Sequence, residues 1–147
     1  MTPPPEVLGF NRWLLLGGLS SFIIGLLHIA TILGGAYWYR AMGAGEQMAT
    51  LAEQGSWRPA LVTSLITLIF FVWAYYALSA SGLRLLGTVP FVKGMLLLIG
   101  GVYTFRGLAI VAPLFGYTGH GARFMVLTSF VSLVIGALHW AGLWRMS

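Results

Sequence analysis

The chain has 147 residues, of which 59% are hydrophobic and 7% charged, where a soluble domain carries roughly 25% charged. A water-soluble body of one-domain size cannot hide that much apolar surface, so the composition excludes a soluble globular protein and predicts a single all-α integral membrane domain over residues 1–147. Eight Lys or Arg against three Glu give a net charge of +5; the cations stand singly near the ends of apolar runs, so they point to lipid phosphates and away from nucleic acid.

Cysteine is absent, which removes disulfides, thiolate metal sites, iron–sulfur clusters and palmitoylation together. The opening segment, Met1 to Arg12 with Pro3, Pro4, Pro5 and Glu6, leads into an apolar run too long for a signal-peptide core. It reads as a retained first span. Four such runs are predicted as membrane helices, at about 13–37, 59–81, 89–114 and 124–144, each close to the ~20 residues that cross the hydrocarbon layer. Trp13, Tyr37, Trp38, Tyr39, Trp57, Trp140 and Trp144 mark their interfaces.

Between the first two spans, residues 40–58 place Ala44, Met48, Leu51 and Ala52 on one helical face and Glu46, Gln47, Thr50, Glu53 and Gln54 on the other. A short amphipathic helix lying in the interface is predicted there. Gly43 and Gly45 mark its start and Gly55 its end, with Ser56 as N-cap of the second span and Pro59 in its first turn. With the N-terminus in the cytoplasm, Arg12, Arg84, Lys93 and Arg145 lie inside and Arg40, Arg58 and Arg123 outside. Four against three favours cytoplasmic termini in a bacterial inner membrane.

Comparing the spans exposes an internal repeat. Ser21 to His28 and Ser132 to His139 both read S-x-x-I-G-x-L-H. Gly17, Ser21 and Gly25 form a small-residue stripe in the first; Thr128, Ser132 and Gly136 form one in the second. Such stripes let helices approach closely. Each histidine thus sits beside a packing seam, either as a hydrogen-bonded core residue or as a proton relay, ligand or substrate contact. The two helices run oppositely, and each His lies 15 residues from its own start. At ~1.5 Å per residue this separates them by ~14 Å in depth, which argues against one bis-histidine haem or one shared metal ion.

The same arithmetic groups His28 with Arg106, Tyr103 and Thr67 in an outer polar layer, and His139 with Tyr75 or Tyr76 in an inner one. Arg106 is the costliest residue, since Arg near a helix centre costs roughly 2.5–3.5 kcal/mol. Snorkelling outward, it is expected to meet Glu46 or Glu53 on the amphipathic connection. No H-E-x-x-H, G-x-S-x-G or P-loop pattern occurs.

Trp38-Tyr39-Arg40, Gly43-Ala44-Gly45-Glu46, Leu51-Ala52-Glu53 with Gly55-Ser56, Tyr76-Ala77-Leu78-Ser79, and Tyr103 with Arg106-Gly107 resemble a group of uncharacterised small four-span bacterial inner-membrane proteins. In size and span count the chain also resembles the DoxX-type proteins. The resemblance implies a bacterial inner membrane and carries no activity or site roles with it. From the residues themselves, the leading expectation is a non-enzymatic accessory or assembly subunit, or a small homo-oligomer. A proton-coupled permease using His28 and Arg106, and a redox subunit or enzyme that binds quinone or lipid, are the alternatives. No resident cofactor or metal is expected beyond such a quinone or lipid. The expected partners are the bilayer and either a second copy or a larger membrane complex.

Overall fold

Lipid offers backbone groups no hydrogen-bonding partner, so a chain this apolar satisfies its amides within helices. The computed structural model, which describes residues 9–83, 86–118 and 120–147, is all-α among those residues. Four of its helical stretches are long and apolar enough to cross a membrane. Helix α1 spans Arg12–Ala41, α2 Glu46–Glu53, α3 Arg58–Ala80, α4 Val92–Gly107 and α5 His120–Trp144. The third crossing extends beyond α4 as a 3-10 helix, Leu108–Phe115. The Pro-rich opening and Arg84 lie outside the described residues.

The expected amphipathic connection is α2, and its ends follow from glycine geometry. Gly43 and Gly55 adopt φ 70 and φ 72, values that a Cβ disfavours. They allow the paired closing bonds of a Schellman turn: Ala44 N–H to Tyr39 O and Gly43 N–H to Arg40 O after α1, and Ser56 N–H to Leu51 O and Gly55 N–H to Ala52 O after α2. Trp57, not Ser56, is the N-cap of α3; the Ser56 hydroxyl accepts from Arg58 N–H instead.

Span boundaries shift where backbone chemistry overrides hydropathy. Gly35, at φ 64 and ψ −152, kinks α1 without ending it, so the helix continues to Ala41 and carries Arg40 toward α2. The third crossing starts at Val92 after Pro90 and the left-handed Phe91. Helix α5 begins at His120, four residues before the predicted start.

Neighbours in sequence pack as neighbours in space: α1 along α3 and α4 along α5, with the pairs joined through α1–α5 and α3–α4. The interior combines a small apolar core of Leu14, Leu96, Ile99, Tyr103 and Ile135 with small or locally hydrogen-bonded polar residues. Ser21, Thr31, Thr63, Thr67, Ser129 and His139 are buried, while most Leu, Ile, Val and Phe side chains cover the outside. Lipid tails are as apolar as leucine, so side-chain apolarity drives nothing inward and close backbone approach decides packing.

One end of the bundle holds the start of α1 and the ends of α3 and α5; it is the terminal end. The other, where α2 lies, is the cap end. Asn11 closes the terminal end. Its side chain accepts from Leu14 N–H as the N-cap of α1 and donates to Gly142 O of α5 at 2.9 Å, and its backbone N–H reaches Ser81 O beyond α3 at 2.9 Å. One buried asparagine thus ties three helix ends.

Candidate functional site

The polar residues of the spans form two groups at different depths. In the terminal half, His139 is fully buried. Its Nδ1 bonds to Ile135 O, one turn earlier, at 2.9 Å. A carbonyl only accepts, so Nδ1 carries the proton and Nε2 presents a lone pair. That Nε2 is buried with no partner.

Glycines make room for the ring. A Cβ at Gly17 would stand 2.8 Å from His139 Cε1, and one at Gly100 3.4 Å from His139 Cβ. Tyr103 of α4 stacks on the imidazole with ring centroids 5.7 Å apart, and its hydroxyl lies 2.8 Å from Ser21 Oγ on α1. Ser21, Tyr103 and His139 therefore join α1, α4 and α5 in one buried contact. Trp73 and Phe70 of α3 pack edge-on and tilted against Tyr103 at 5.4 and 6.3 Å, which brings in the fourth helix.

Toward the cap end, His28 repeats the local bond of its twin, Nδ1 to Ile24 O at 2.8 Å. Its ring is half-buried and lies against Phe70, centroids 5.0 Å apart. Gly17 touches His139 and lies eleven residues before His28, so the two imidazoles sit roughly 16 Å apart along the helix. Phe70 links them through Tyr103 as a continuous run of rings.

The expected polar layers are corrected in two respects. His139 pairs with Tyr103, not with Tyr75 or Tyr76. The Tyr75 hydroxyl donates to Leu86 O at 2.8 Å, and Tyr76 packs at the edge of the apolar core. Counting from helix ends places Tyr103 too near the cap, because the third crossing starts two residues after Pro90. Nor does Arg106 reach Glu46 or Glu53. Its Nη1 donates to Ser129 Oγ at 2.8 Å and its Nη2 to Thr128 Oγ1 at 2.9 Å, both on α5. Hydroxyls one helix away win because reaching them needs no passage across the bundle.

Both carboxylates are taken by Arg40, which the kink at Gly35 delivers to them. Its Nε and Nη2 grip Glu46 and its Nη1 meets Glu53 at 2.6 Å. The hydrogen bonds from Arg40 hold the Glu46 and Glu53 carboxyls below the ordinary carboxylate range. Arg40 thus fixes α2 to the end of α1, and Arg106 is left without a carboxylate among the described residues.

The small-residue stripes are filled from within the chain. Gly17 receives His139, Gly25 receives Phe71, and Gly136 faces Thr104 Oγ1 and Gly100 O. Ser132 bonds back to Thr128 O, and Thr104 also accepts from Trp140 Nε1 at 3.0 Å. Sequence reasoning had missed Asn11 and Arg40. A helix-capping Asn directly before Arg12-Trp13 was the signal for the first; nothing local distinguishes Arg40 from the other interfacial arginines. Among the described residues no three His, Asp or Glu side chains gather as metal ligands. No family model, curated protein or solved structure matches the chain.

Proposed function

We propose that the chain is a non-enzymatic accessory or assembly subunit of a bacterial inner membrane. It associates through the outer face of α4 with another membrane protein or a second copy of itself. The observation that carries this reading is a contrast among glycines. Gly17, Gly18, Gly25, Gly100, Gly107, Gly136 and Gly142 each have a neighbour where a Cβ would stand, while Gly94 and Gly101 have open space. Those two lie seven residues apart, two turns along one face of α4. Leu97, Leu98 and Phe105 flank them and are 51%, 54% and 79% exposed. A small-residue seam with nothing in it is the feature a second membrane helix packs against.

A permease built on His28 and Arg106 has no comparable support. His28 is bonded within α1 and stacked on α3, and Arg106 is bonded to α5. The orientation with cytoplasmic termini rests on the charge bias alone.

The natural absence of cysteine makes the test direct. Gly94→Cys and Gly101→Cys chains in native membranes should cross-link to a defined partner or to a second copy. Leu65→Cys, on the exposed side of α3, should not. Cross-linking at the α4 positions no greater than at Leu65 would overturn the proposal.

A further inference from the structure

At the cap end, the third crossing departs from regular α geometry. Pro113 has no N–H to donate, and the stretch from Leu108 to Phe115 rises as a 3-10 helix. Between this stretch and the first turns of α5 lies a groove of about 580 Å³. Its walls are apolar, with Ile110 and Pro113 on one side and Leu127 and Phe130 on the other; Arg123 and Tyr117 stand at its rim. Leu127 and Phe130 are 61% and 57% exposed, so the groove opens outward to the lipid.

Depth and charge identify the occupant. Arg123 lies three residues into α5 and Phe130 ten. At ~1.5 Å per residue the cation sits ~5 Å and the phenyl ring ~15 Å below the helix start, so the groove descends ~10 Å from headgroup level into the hydrocarbon. Arg123 has no acidic partner among the described residues, where both ion pairs belong to Arg40. An acyl chain under a phosphate fits both the shape and the charge.

We propose that this groove binds one anionic phospholipid from the surrounding leaflet, a chain lying against Ile110, Pro113, Leu127 and Phe130 and its phosphate on Arg123. This site is separate from the open α4 face and stands whether or not that face has a partner.

Native mass spectrometry of the purified chain, with phosphatidylglycerol or phosphatidylcholine of identical acyl chains added, tests it. The expected result is one phosphatidylglycerol retained in preference to phosphatidylcholine. Arg123→Gln should weaken phosphatidylglycerol about fivefold, the value of one cation at a lipid surface, and weaken phosphatidylcholine, whose choline offsets its phosphate, by less. Arg123→Lys should retain the preference, and Phe130→Ala should weaken both lipids. Equal retention of the two lipids by the unaltered chain overturns the proposal without reference to any variant. So does unchanged phosphatidylglycerol binding in a folded Arg123→Gln chain, or a stoichiometric polypeptide cross-linked at Leu127→Cys in place of lipid.

Discussion

His28 and His139 share an eight-residue motif and the same local bond, imidazole Nδ1 to the isoleucine carbonyl one turn earlier, yet they occupy unlike halves of the bundle. Around His139 the terminal half is closed. Gly17 and Gly100 admit the ring, Tyr103 covers it, Ser21 anchors Tyr103, and Asn11 ties the helix ends beneath. Around His28 the cap half is looser. The ring is half-buried on Phe70, α1 is kinked at Gly35, the third crossing turns to 3-10, and an exposed charge clamp holds α2. The lesson is that an identical helical motif fixes only the side chain's own backbone bond. The facing helix decides whether it is sealed or accessible.

The most forceful way to break this comparison is to fill the space that seals His139. Gly17→Leu places a side chain where His139 Cε1 stands and should lower the unfolding free energy in mixed micelles by about 1–3 kcal/mol. Gly101→Leu, facing open space, should change it by less than about 0.5 kcal/mol. Equal effects at the two positions would mean that the terminal half is not the tighter one.

A smaller effect is expected from the staple. Asn11→Ala removes the α1 cap and the bond to Gly142 O and should cost about 1–2 kcal/mol. Hydrogen exchange should rise first at the α1 start and the α5 end. Exchange rising first near His28 would contradict the assignment of rigidity to the terminal half.

The mildest perturbation acts on the cap alone. Pairing with Arg40 lowers the Glu46 and Glu53 carboxyls below their ordinary value of 4.5. The clamp is therefore at full strength above that pH and weakens as pH falls through the lowered values. Acidification should release the amides of Glu46–Glu53 to exchange and leave those around His139 protected. A clamp indifferent to acid, or a bundle that loosens throughout, would refute the division.

Much of this was legible beforehand because membrane sequence constraints are local. The absence of charge over ~20 residues dictated four helices. Glycines at α1 and α2 ends marked the turns, and the repeated S-x-x-I-G-x-L-H placed twin histidines beside packing seams at opposite depths; that both bond to the isoleucine carbonyl one turn earlier came with the structure. What the tertiary structure alone decided is which side chain each of these meets. Tyr103 rather than Tyr75 or Tyr76 covers His139, Ser129 and Thr128 rather than a glutamate hold Arg106, and Arg40 takes both carboxylates. Hydropathy cannot rank those options, since partners across helices depend on helix starts shifted by two to four residues and on a single kink. Each such shift rotates a side chain by about 100° per residue and can exchange one neighbour for another.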